Sequence, residues 1–202
     1  MSAVHAVVDW GWAGCALDGT SGDLHVVVPF AHGALVALLD GLGHGPEAAA
    51  AAAAAVPVLE DHAADPVPLL VQRCHDALRR TRGAVMSLAS FDVRDASMTW
   101  SGVGNVAGVL LRADAAQRRA GEALVARGGV VGYRLPPLHA GTLRVAPGDV
   151  LVLATDGIRS GFAEGLATAP SVQEIAETVL AGFASGTDDA HVVVARYLGG
   201  AS

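Results

Sequence analysis

Cysteine is scarce in this chain: two in 202 residues, Cys15 and Cys74, with no CxxC pair and no metal-ligand spacing. A disulfide framework and a thiolate zinc site are therefore excluded, and two reduced thiols are expected. Aromatic residues supply only 4% of the chain, so its 52% hydrophobic fraction rests mainly on alanine, valine and leucine. Basic residues are also few. Thirteen Lys+Arg against twenty Asp+Glu leave a formal charge of −7, which argues against a nucleic-acid partner. The one tight basic cluster, Arg79, Arg80 and Arg82, reads as the solvated end of a helix. No basic stretch followed by an apolar core opens the chain, so no signal peptide is expected. The longest uncharged alanine-rich run, Ala48 to Leu59, is too short to span a bilayer and contains Pro57. A soluble, cytoplasmic protein with no membrane partner is the expectation.

The length suits one domain, residues 1–202, with a substantial core. Residues 3–10, 24–28 and 34–39 read as strands. Pro46 suits the first position of a helix, Glu47 favours its positive end, and the alanines at 48–55 carry it forward. Pro57 is read as an end or a kink. A second helix starts at Asp65-Pro66, with a buried stripe of Val67, Leu70, Val71, Cys74, Ala77 and Leu78, and Gly83 ends it. Strand-like runs follow at 84–91, 97–101 and 105–111, the first two joined by a polar hairpin connection. Residues 113–149 are the least legible. Pro147-Gly148-Asp149 is a turn between strands at 143–145 and 150–154. Ser171 and Glu174 form a capping box for a third helix, and 191–197 is a last strand. Strands and helices are segregated rather than alternating, which predicts an α+β fold with sheet packed on sheet and helices outside.

Against this background four aspartates stand out: Asp23, Asp40, Asp156 and Asp188, each in a turn context beside an apolar, strand-like run. Carboxylates at strand ends aimed into one cleft make an all-oxygen site for hard divalent cations. Two such cations about 3.5–4 Å apart are a known device for hydrolysing phosphate esters. Singly, Asp23 after Ser-Gly and Asp156 before Gly157 read as turn residues. Asp40 is harder to explain so, because Gly41, Gly43 and Gly45 around His44 suggest close backbone approach. A nucleotide P-loop is excluded there by the absence of Gly-Lys-Ser/Thr.

In order, Ser21-Gly22-Asp23, Asp40-Gly41-Leu42-Gly43-His44-Gly45, Ser101-Gly102-Val103-Gly104-Asn105, Ala154-Thr155-Asp156-Gly157-Ile158 and Asp188-Asp189-Ala190 resemble the motifs of PP2C-type metal-dependent protein phosphatases. The likeness is stronger to the bacterial SpoIIE-like branch. Within it, Arg73-Cys74-His75-Asp76-Ala77, Arg82-Gly83-Ala84 and Val103-Gly104-Asn105-Val106 resemble the RsbX type, the small serine phosphatases of stressosome pathways. The likeness runs from about residue 18 to 198.

The resemblance implies a four-layer αββα sandwich with two Mn²⁺ or Mg²⁺ ions at one end. It implies metal ligation by Asp23, Asp40, Asp156 and Asp188 and by the Gly41 carbonyl, with Asp40 touching both ions. Asp189 could exchange roles with Asp188. His44 is a candidate proton donor to the leaving serine oxygen, with a loop-structural role the alternative. Asn105 is expected to support its glycine-rich turn. Arg82 could reach substrate phosphate, though the helix-end reading is favoured. His191 stands where the family usually has Thr or Ser, and Leu24-His25 also departs from its pattern. The implied partners are phosphorylated STAS-domain proteins, and a monomer is expected. The competing class is a phosphatase-like binding module without turnover, against which the intact carboxylates argue.

Overall fold

A computed structural model of the chain describes residues 6–17, 19–114 and 121–200. The elements run β1 (Val8–Cys15), β2 (Asp23–Phe30), β3 (Gly33–Gly41), α1 (Pro46–Asp61), α2 (Val67–Leu78), β4 (Ala84–Asp92), β5 (Ser97–Val103), β6 (Ala107–Leu111), β7 (Glu122–Leu124), β8 (Gly141–Arg144), β9 (Val150–Ala154), α3 (Val172–Phe183) and β10 (Ala190–Tyr197). They form two antiparallel five-stranded sheets, β1-β10-β9-β6-β7 and β2-β3-β4-β5-β8.

The central strands explain why the sheets stack. Along β3, Ala34, Val36 and Leu38 face the layer between the sheets, while Leu35, Ala37 and Leu39 face α1 and α2. A strand buried on both faces reads as an unbroken apolar run rather than an alternating one. The same division holds in β10, where Val193, Ala195 and Tyr197 point between the sheets and Val192 and Val194 pack with α3. Three apolar layers thus bind four structural layers, the expected αββα sandwich. Each fully buried Leu or Val contributes roughly 1.5–3 kcal/mol by leaving water.

Helix α1 can approach its sheet closely because its inner face is alanine: Ala48, Ala51, Ala52 and Ala55 are all fully buried. At Gly41 a β-carbon would sit 2.0 Å from the Ala48 carbonyl oxygen, so glycine is required where strand and helix meet.

Some local expectations fail for identifiable reasons. Helix α1 continues through Pro57 to Asp61. Pro57 and Ala53, the residue four before it, are both exposed, so the hydrogen bond that proline removes is lost on the solvent side. In α2, His75 rather than Ala77 joins the buried face, and its Nδ1 accepts the Gly132 N–H at 3.0 Å. The first strand runs over 8–15 rather than 3–10, and residues 1–5, including His5, lie outside the described residues. Two glycines hide β1 in the sequence. A β-carbon at Gly11 would come within 2.8 Å of the Gln173 backbone nitrogen, because α3 crosses there. The turn at 147–149 links strands of different sheets, β8 and β9. The capping box of α3 forms as read: Ser171 Oγ accepts the Glu174 N–H, and Glu174 Oε2 accepts the Ser171 N–H.

Candidate metal centre

Asp40 extends the inward-facing series of Ala34, Val36 and Leu38 by one step of two, so strand alternation turns its carboxylate toward the space between the sheets. Asp23 stands directly opposite it across the β2–β3 ladder, and opposite residues share a face. From the other sheet come Asp156, in the turn after β9, and Asp188, in the turn before β10. Asp40, Asp156 and Asp188 line one open cleft of about 260 Å³ with Leu42, Gly43, His44, Val85 and Asn105. Asp23 is not among the lining residues; it stays beside Asp40, where the Thr155 hydroxyl donates to its Oδ2 at 2.8 Å.

The electrostatics of the cluster favour positive charge. Burial pushes the Asp23 carboxyl up to about 7, Thr155 pulls it back in part, and the charges of Asp189, Asp156 and Asp188 add to the rise. Burial, then the charge of Asp23, pushes Asp40 up to about 8. Asp156 is raised by burial and by Asp188. Such a group cannot all ionise near neutrality without cations, and its donors are all oxygen, so the residues fit hard divalent ions. Among the described residues no three acidic, imidazole or thiol side chains close around a single point.

The paired aspartates have different tasks. Asp189 is buried, and its Oδ1 and Oδ2 accept the backbone N–H groups of Leu17 and Gly22, each at 2.8 Å. It holds the segment that delivers Asp23. Asp188 is exposed to the cleft, with Oδ1 accepting the Asp189 N–H at 2.8 Å. Asp188 is therefore placed as the ligand candidate and Asp189 as a brace. Asp189→Ala strands one buried donor, the Gly22 N–H, at a cost of about 1–3 kcal/mol, and frees the part-buried Leu17 N–H. It should lower Tm by several degrees and weaken Mn²⁺ binding, measured by calorimetry, although Asp189 does not line the cleft.

Gly41 ends β3, and its N–H donates to the Gly22 carbonyl at 3.0 Å. His44 is exposed on the cleft wall. Asn105 does more than support a turn: its Nδ2 donates to Asp156 Oδ2 at 2.7 Å, which fixes that carboxylate. Thr155 was legible only as a motif neighbour, yet its hydroxyl also accepts the His191 N–H at 2.9 Å, joining Asp23 to β10. The His191 imidazole takes no part in that link. Its Nε2 lies 2.8 Å from His25 Nδ1, and its ring stacks on Trp12 at 5.1 Å. Burial, then the nearby His25, lowers His191 to about 4. His25 and His191 thus form one aromatic pair, with ring centroids 5.0 Å apart.

Comparison with known proteins addresses the family and the fold. The family described as Stage II sporulation protein E (SpoIIE) matches residues 31–198. The phosphoserine phosphatase RsbX of Bacillus subtilis (strain 168) is 33% identical over 76 residues, which is 38% of this chain and 38% of that protein. The likeness therefore spans well under half of that relative's length. A chain from a bacterial stressosome, a modular system adapted to control secondary messenger signaling, has a TM-score of 0.83 at 29% identity, covering 94% of this chain and 99% of its own. RsbX in complex with magnesium gives 0.81 at 22% identity, covering 94% and 95%. With the motif aspartates gathered at one end of a two-sheet sandwich and the family match running through four-fifths of its length, this chain belongs to the SpoIIE family.

Proposed function

We propose that the chain is a divalent-metal-dependent phosphoserine/phosphothreonine protein phosphatase. The observation that carries this reading is the convergence of Asp40, Asp156 and Asp188 on one cleft, with Asp23 beside Asp40. In this reading the four aspartates and the Gly41 carbonyl hold two ions, Mn²⁺ or Mg²⁺. When bound, such ions acidify water and neutralise charge on a phosphoryl group. The chain's own residues do the rest. Asn105 keeps Asp156 in one orientation, and Asp189 and Thr155 hold Asp23 in place. His44, on the open side of the cleft, offers a ring nitrogen from which the departing serine oxygen takes a proton.

The substrate we propose is a phosphorylated STAS-domain protein of a stressosome-type module, on the strength of the RsbX likeness. The cleft is open, so selectivity should come from docking a folded partner. The cytoplasm is the proposed setting, in keeping with Cys15 and Cys74 both being free. No helix among the described residues is long and apolar enough to cross a membrane. The test is hydrolysis of a generic phosphate ester with Mn²⁺, with and without chelator, followed by kcat/KM on an intact phospho-STAS domain and on a peptide of the same phosphosite. Chelator-sensitive turnover is expected, at least about tenfold faster on the folded partner. Equal values would remove the docking argument, and no metal-dependent turnover on any substrate would overturn the function.

A further inference from the structure

We infer that Arg82 grips the phosphate of the incoming phosphoserine at the rim of the metal cleft, a role that rests on the phosphatase reading above. The cleft lining supplies no fixed cation: its ionisable groups are Asp40, Asp156, Asp188 and the imidazole of His44. A phosphate dianion approaching this acidic wall gains from a positive group just outside it, and Arg82 occupies that place. Its guanidinium lies over Gly43, one of the lining residues. A β-carbon on Gly43 would come within 2.9 Å of Arg82 Nη1.

The backbone holds Arg82 there. The Thr81 hydroxyl donates to the Leu78 carbonyl at 2.8 Å and accepts the Gly83 N–H at 2.9 Å. The Gly83 carbonyl in turn accepts the Leu42 N–H at 3.0 Å, which ties the Arg82 segment to the cleft loop. Helix α2 ends at Leu78 with Arg79 as its cap, so Arg82 lies beyond the last turn, and a helix-capping role does not account for it.

The partner of Arg82 is exchangeable. Its Nη2 pairs with Glu47, but the two side chains are 50% and 70% exposed, and such surface pairs contribute little to stability. A guanidinium carries five donors in a planar fork suited to two phosphate oxygens. Glu47 thus parks the fork beside the cleft until a stronger anion arrives. A groove of about 380 Å³ bounded by Glu47, Ala50, Ala51, Arg80, Thr81 and Arg82 gives the residues flanking the phosphoserine a path away from the site.

The experiment is calorimetric titration of the Mn²⁺-loaded protein with inorganic phosphate, comparing wild type with Arg82→Ala, Arg82→Lys and Glu47→Gln. Arg82→Ala should weaken phosphate roughly tenfold or more, the scale for losing a charge-assisted hydrogen bond. Arg82→Lys should recover part of the loss, because the charge stays and the fork goes. Glu47→Gln should tighten phosphate about threefold by releasing the guanidinium. Tm and Mn²⁺ affinity should stay at wild-type values in all three. Unchanged phosphate affinity in Arg82→Ala would overturn the proposal, as would a loss of Mn²⁺ affinity equal to the loss of phosphate affinity. Phosphate binding is read without turnover. A protein that binds phosphate through Arg82 yet hydrolyses no ester would therefore sustain this assignment and refute the catalytic one.

Discussion

Asp40→Ala should abolish metal-dependent ester hydrolysis, lowering kcat/KM by roughly 10³-fold or more, beyond the 10²–10³ that loss of a single transition-state donor costs. Asp40 faces Asp23 across the ladder and shares the cleft with Asp156 and Asp188, so no other aspartate is placed to serve in its stead. The informative companion is Asp40→Asn, which keeps the shape and removes the charge. It should be equally inactive, yet at pH 8 and without metal it should melt above wild type. Burial opposes the ionised form strongly enough to push the Asp40 carboxyl up to about 8, so a neutral side chain relieves the fold of that cost. Loss of activity with a gain in Tm would mark a residue kept for chemistry at the expense of stability. Near wild-type turnover in either variant would show that the cleft assigned here is not the reacting site.

Mn²⁺ should stabilise the protein, and more at pH 8 than at pH 6. Asp23 and Asp40 are raised from 3.8 to about 7 and about 8 in the fold. Between those values the metal-free native state holds protons that the unfolded chain has released. Their contribution to stability is fully present below about pH 4 and is lost as pH rises through 7 and 8. His191 has the opposite sign. Lowered from 6.5 to about 4, it contributes stability above about 6.5 that fades as pH falls toward 4. Melting curves taken between about pH 6.5 and 8.5 therefore isolate the carboxylates. In that window the metal-free Tm should fall with rising pH, and saturating Mn²⁺ should cancel the fall. A hundredfold excess over Kd adds about 2.7 kcal/mol, which is roughly 5–10 °C for a chain of this size. A metal-free Tm that rises across the window, or a Mn²⁺ shift that shrinks with pH, would refute the carboxylate cluster as the binding site.

The sequence revealed most where local chemistry and tertiary environment agree. The apolar run of β3 is continuous because both faces are covered, and its reading ended one residue short of Asp40, which occupies the next inward position. The capping box of α3 is a local device and formed as read. Legibility failed where a residue's task depends on something distant. Gly11 and Gly14 weaken the strand signal of β1, yet Gly11 is required by the passage of α3. Asn105 reads as a turn residue until β6 and β9 are paired, which brings it to Asp156. The two oxygens of Asp189 are committed to Leu17 and Gly22, far away in sequence, so only the fold separates it from Asp188. Pro57 interrupts a hydrogen bond on the exposed side of α1, and sequence alone does not say which side that is.

Two of the four aspartates lie in the second and third strands and two in the turns after the ninth strand and before the tenth, and the brace Asp189 joins residues 17 and 22 to the start of the last strand. Such wide separation makes the cluster a late event in folding, because long loops must close before its members meet. During synthesis, chains emerge from the N-terminus, so Asp23 and Asp40 wait, unpartnered by the other two, until β10 has been made and has paired between β1 and β9. A chain clipped before residue 188 therefore lacks one ligand candidate and its neighbouring brace, one clipped before residue 156 lacks half of the acidic set, and the ability to capture a cation becomes a certificate that the whole sandwich has closed.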